Sequence, residues 1–220
     1  LKFLKIFKNI SFFTIANFLP QVSNFILLPI TTNYLTKDDF AIYGTILAYN
    51  VLLQGIKSLG MDIAFINSFV KDKIGWKATW GKFLAIRFIW KHIFFLLQFI
   101  VLYYFLGFDE IIDNKVLVIL LIALPDYLFS VSNDVASRYY VIDKRAKTFL
   151  KVISFSVFIS GITNYYFIVH LEYGYLGWFI SSSVFYLISF VFNAYLLYWK
   201  LKILTNFNFD TTFFYKTLKI

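Results

Sequence analysis

Cysteine is absent from the chain, so neither a disulfide nor thiol chemistry can belong to it. Two histidines with no cysteine companion leave no structural zinc site to expect. Charge is scarce as well, at 15% of the 220 residues against 60% apolar and 23% aromatic. Acid is the rarer sign, with 12 residues against 21 basic ones. A soluble domain of this size could not hide so much apolar surface. Long apolar runs broken by short charged clusters are instead the pattern of an all-α polytopic membrane protein. A cleavable signal peptide is also missing, because the first apolar stretch is full-length and carries no small-residue cleavage site. Heavy use of Phe, Tyr, Ile, Asn and Lys matches an AT-rich bacterial gene.

What is present is a series of apolar windows. A bilayer core of roughly 30 Å needs about 20 helical residues, and six stretches qualify: about 10–31, 40–60, 86–107, 116–137, 148–170 and 175–199. Six spans put both termini on one side of the membrane. The basic residues then fall on alternate connections: Lys2, Lys5 and Lys8; Lys57, Lys71, Lys73, Lys77, Lys82 and Arg87; Arg138, Lys144, Arg145, Lys147 and Lys151; Lys200, Lys202, Lys216 and Lys219. The opposite connections hold Lys37 and Lys115 among Asp38, Asp39, Asp109, Glu110, Asp113 and Glu172, while Lys91 lies within the third span. This distribution predicts cytoplasmic N and C termini and explains the net charge of +9 without a nucleic-acid partner. Residues 61–85 mix aromatics with lysines and read either as an interfacial amphipathic stretch on anionic headgroups or as a simple loop. No connection is long enough for a folded catalytic module, and neither a cofactor nor a metal site is expected.

Polar residues inside the spans fall in stripes. Lipid offers them no hydrogen-bond partner, so they must face other helices or a wet cavity. In the first span Thr14, Asn17, Gln21 and Asn24 share a face around Pro20; in the second Asn50, Gln54 and Lys57 do; in the third Arg87, Lys91 and Gln98. The fourth span contains DYLFSVSNDVASR, in which Asp126, Ser130, Asp134 and Arg138 recur every fourth residue just after Pro125. The fifth adds Asn164. A charge at mid-membrane costs about 2.5–3.5 kcal/mol even on lenient scales, so the stripes imply a hydrated interior or close pairing. Plainer readings stand beside this one: amides gluing helices together, Arg87 and Arg138 as ordinary boundary residues, and an i,i+4 pair between Asp134 and Arg138.

The stretch ILLPITTNYLTKDDFAIYG, residues 26–44, resembles the first outer turn of Wzx-type oligosaccharide flippases, in the polysaccharide-exporter branch of the MATE-like superfamily. Pro29, Leu35, Thr36, Asp38, Asp39, Phe40 and Tyr43 match that pattern, with Ala41 where the family has Gly. SLGMDIAFINSF, RYYVIDKRAKTF and EYGYLGWFISSSV continue the likeness, with Asn67 in place of an Arg. The resemblance implies flipping of a polyprenyl-pyrophosphate-linked oligosaccharide across a bacterial inner membrane for O-antigen or other surface polysaccharide, by two six-helix lobes around a cationic cavity. The chain would be a first-half fragment forming one such lobe over residues 1–220. It begins at Leu1 without Met and stops where a seventh helix is expected, so the partner would be a missing second lobe or a second copy, with a polysaccharide polymerase as a further candidate.

On that view no residue is catalytic. Arg87, Lys91 and Arg138 would attract the pyrophosphate; Asn17, Gln21, Asn24, Asn50, Gln54 and Lys57 would complete the substrate site; and Asp126 or Asp134, changing charge in a low dielectric, would couple an ion. The alternatives are a MATE-like drug or metabolite antiporter, whose cavity should be net acidic, and a membrane polysaccharide polymerase or glycosyltransferase. For the latter His170 and Glu172 make no convincing acid/base pair.

Overall fold

The computed structural model describes residues 2–107, 112 and 114–208, with side chains from Phe7 onward. The side chains of Lys2, Lys5, Asp109, Glu110, Asp113, Lys216 and Lys219, used above in the charge map, lie outside what is described. Every regular element among the described residues is helical. The order is α1 (Lys2–Thr31), α2 (Lys37–Lys57), α3 (Met61–Lys71), α4 (Trp76–Phe105), α5 (Lys115–Ile142), α6 (Ala146–Tyr165) and α7 (Tyr175–Ala194). α6 and α7 each widen into π-helical turns, over Tyr166–His170 and Tyr195–Lys200.

Five of these stretches are long and apolar enough to cross a membrane: Phe7–Tyr34, Trp76–Phe105, Lys115–Ile142, Ala146–His170 and Tyr175–Lys200. The remaining expected span, 40–60, is α2. Its 21 residues would reach about 30 Å at the usual helical rise, but Asn50, Gln54 and Lys57 dilute its apolar character below that of the other five.

Local sequence accounts for the helix starts. Thr36 accepts from the Asp39 amide at 3.2 Å while Asp39 accepts from the Thr36 amide at 2.8 Å, a reciprocal cap that opens α2. Asp39 also accepts from the amide of Tyr175, the first residue of α7, at 2.8 Å. Gly174 makes that approach possible: it has φ of 54°, and a Cβ there would strike the Asp39 carboxylate. Asn114 caps α5 through the Leu117 amide at 3.0 Å.

Residues 61–85 do not form one surface stretch. They divide at a turn held by Asp72, whose carboxylate accepts from the amides of Ile74 and Gly75 at 3.1 and 2.7 Å. The first part is α3 and the second is the beginning of α4, which starts at Trp76 rather than near residue 86. Aromatic packing draws both parts inward. Trp80 is fully buried, stands edge-on to Phe65 at 5.0 Å between ring centroids, and donates to the Phe65 carbonyl at 3.0 Å. Ile63, Val70 and Ile74 stay exposed, together with Lys71, Asp72, Lys73 and Lys77 around the turn.

The long helices pack in the order α1, α6, α7, α5, α4, and α2 leans across α4 and α7. Two apolar clusters occupy opposite ends of the bundle. One gathers Phe65, Trp80, Leu84, Tyr140, Leu197 and Ile203; the other gathers Ile42, Ile46, Leu106, Val118 and Phe179 around the α2 start. Beyond α7 the chain turns back along α4: Ile203 is buried, and the Asn206 amide donates to the Gly81 carbonyl at 3.0 Å. Gly81 has no room for a side chain, since a Cβ would meet the Leu204 carbonyl. Polar side chains fill the level between the two clusters.

Candidate functional site

The four-residue rhythm of α5 determines this level. Asp126, Ser130, Asp134 and Arg138 share one face, and each charged member meets a different helix. Asp126 receives the Lys57 ammonium of α2 at 2.5 Å. Asp134 binds the Arg87 guanidinium of α4 at 2.7 Å. Arg138 reaches Asp62 of α3 at 2.9 Å. Asp62 also stands 3.7 Å from Arg87, so two guanidiniums and two carboxylates form one chain of charge. The pair suggested by sequence, Asp134 with Arg138, does not form among these contacts. Both side chains turn outward to neighbouring helices instead, where they compensate charges that would otherwise be buried alone.

Arg87 is 3% exposed, so its two acids hold it inside the bundle rather than at a boundary. Lys57, Arg87 and Arg138 are thus balanced by Asp62, Asp126 and Asp134. Lys91 differs. It forms no ion pair with a described carboxylate, and its ammonium rests over Phe88 and Tyr127, 4.0 and 4.6 Å from the ring centres. Lys57, Arg87, Lys91 and Asp126 line one narrow crevice of about 10 Å³. Arg138 stands outside that crevice. In the α5–α6 turn, the Asp143 carboxylate hydrogen-bonded to Arg145 raises that guanidinium above its ordinary pKa.

A cavity of about 150 Å³ opens above the Lys57–Asp126 pair, lined also by Asn50, Gln54 and Gln98. Gln98 donates to Asn50 at 3.0 Å, which links α4 to α2. Pro125 lines the same cavity and has no N–H for the carbonyl of Leu121, another lining residue. A second cavity, of about 160 Å³, lies between α1, α6 and α7. Asn24 borders it. Asn17 and Gln21 border neither cavity; both are exposed, and Gln21 turns its amide back toward the Asn17 and Phe18 carbonyls of its own helix.

The chain matches the polysaccharide biosynthesis protein family over residues 6–220. It belongs to that family. No curated protein and no solved structure matches significantly. Family membership joins a membrane-embedded chain, all-helical among the described residues, to polysaccharide biosynthesis.

Two residues at this level escaped the sequence reading. Asp62 is the ion partner of Arg138 and a second neighbour of Arg87; a solitary acid in the basic stretch from Lys57 to Lys71 was its only signal. Tyr186 of α7 borders both cavities, and nothing separates it from the other 15 tyrosines before the fold is known. Other polar residues act as helix glue, as Asn133 does in donating to the Tyr186 carbonyl and accepting from Asn193.

Proposed function

We propose that the chain takes part in flipping a polyprenyl-pyrophosphate-linked oligosaccharide across a bacterial inner membrane, with both termini cytoplasmic. The observation that carries this reading is Lys91, a cation lining the narrow crevice that rests on aromatic rings and can take up an anion without breaking an ion pair to a described carboxylate. Lys57 is the second contact, because the cavity with Asn50 and Gln54 opens on its pair with Asp126. Arg87 and Arg138, braced by Asp62 and Asp134, form a charge-balanced network beside it and would attract the pyrophosphate only as those acids are protonated. The lipid tail stays in the bilayer and no covalent bond changes, so the chain acts as a transporter and not as an enzyme. Asp126 and Asp134 are the candidate coupling carboxylates: protonating one uncovers a cation, and anion binding and proton uptake then favour each other by linkage. Asn17 and Gln21 of α1 would meet the glycan where that helix faces a second lobe or a second copy.

A rival reading, antiport of an organic cation, draws on the same two carboxylates. The two readings separate in proteoliposomes holding the chain and a fluorescent polyprenyl-pyrophosphate oligosaccharide. Flipping is expected from the wild type and should fall at least about tenfold, the equivalent of one charge-assisted contact, in Lys91→Ala. Undiminished flipping by a Lys91→Ala, Lys57→Met, Asp126→Leu triple variant would remove the proposal. Uptake of an organic cation lost on Asp126→Asn would support the rival.

A further inference from the structure

The cavity between α1, α6 and α7 differs in chemistry from its neighbour. Among the described residues, no Lys, Arg, Asp or Glu lines it. Its wall is built of hydroxyls and amides, among them Ser160, Asn164, Ser181 and Ser182, set against the aromatic side chains of Trp178 and Tyr186. Some of these polar groups are spent inside the wall: Ser160 donates to the Ser181 carbonyl at 2.8 Å, and Asn164 donates through Nδ2 to Ser181 Oγ at 3.1 Å. The other half of that amide is not. Asn164 is 5% exposed, and its Oδ1 has no hydrogen-bond partner among the described residues. A buried carbonyl oxygen left alone is costly, and this one is closed off even from the adjoining cavity, so the Asn164 amide must turn into that space before it can take a donor there.

We infer that this cavity is a subsite for a neutral sugar ring, into which the Asn164 amide turns so that a sugar hydroxyl donates to its Oδ1. The inference rests on the flipping reading and adds to it the place where the uncharged part of the substrate is held. Three features select that ligand class. The absence of charge disfavours an anion or a cation, which would enter without compensation. The negative faces of aromatic rings suit the weakly positive C–H faces of a sugar. The volume, about 160 Å³, greatly exceeds what a single water needs. Position supports it as well: Tyr43, Ser182 and Tyr186 border both cavities, so a sugar here lies next to a group held at Lys57. Gly161 keeps the α1–α6 wall thin, since a Cβ there would already touch Ser23 at 3.5 Å.

The test uses the full chain in lipid nanodiscs, titrated with methyl α-D-glucopyranoside and with its uronic acid counterpart, and read by saturation-transfer NMR. The neutral glycoside should give a saturable signal, with the uronate at least about tenfold weaker, the factor expected for an uncompensated charge. Asn164→Leu should weaken the neutral ligand by about fivefold or more, the cost of one lost hydrogen bond. Ser182→Leu, a change at an exposed position on the seam, guards against misfolding of the first variant and should also weaken it. A flat titration of the wild type, or equal signals from wild type and both variants, overturns the inference. Flipping assays separate the two levels: transport that depends on Lys91 alongside a flat titration sinks only the sugar subsite, whereas no transport sinks the flipping reading itself.

Discussion

α5 and α1 are both long, apolar and interrupted by proline, yet they occupy the bundle in opposite ways. In its most apolar window α5 has 33% of its residues buried and α1 has 6%. α5 lies between α4 and α7 and sends its charged face to three partners, whereas α1 packs on α6 and leaves Phe18, Phe25 and Ile26 exposed. Similar polar stripes therefore carry different energies. On α5 each charge balances another inside the protein; on α1 the amides have little within the chain to lose. A stripe gains structural weight from what stands opposite it.

The strongest break of this comparison is Arg87→Met, which takes the buried guanidinium from Asp134 and leaves Asp62 with Arg138 alone. A loss of about 3–5 kcal/mol is expected, read as thermal unfolding in detergent by circular dichroism. Lys57→Met should cost somewhat less, about 1–3 kcal/mol, because Lys57 faces one carboxylate whereas Arg87 faces two. Adding Asp126→Leu to Lys57→Met should then recover most of the loss. A double variant no better than the single one would show that packing, and not charge, holds α2. Gly81→Val should cost about 1–3 kcal/mol by crowding the returning segment, with the Asn206 amide losing hydrogen-exchange protection. At the small end, Asn17→Leu and Gln21→Leu on α1 should stay within about 0.5 kcal/mol. A larger loss would mean that α1 is buried against another copy under the conditions of the measurement.

Much of this was legible in the residues. Hydropathy located the long helices, and the four-residue spacing from Asp126 to Arg138 placed those side chains on one face because helical geometry demands it. The TKDDF stretch read as an outer turn by its family resemblance, and the structure opens α2 there with the reciprocal cap of Thr36 and Asp39. Partners were not legible. Asp134 and Arg138 are close in sequence, but their ions are Arg87 and Asp62, 47 and 76 residues away, and only the packing of α3 and α4 on α5 brings them together. The lysine-rich aromatic stretch was legible only in part, for a related reason. Composition cannot distinguish a Trp lying at a headgroup from one like Trp80, whose indole N–H finds a carbonyl inside the bundle.

Asp39 has a mechanical consequence. One of its oxygens secures the first turn of α2 and the other holds the leading amide of α7. Sliding α2 lengthwise would strip both helices at once, whereas swinging its far end sideways disturbs neither attachment. The helix is hung like a gate, its pin at Asp39 and its latch at Lys57.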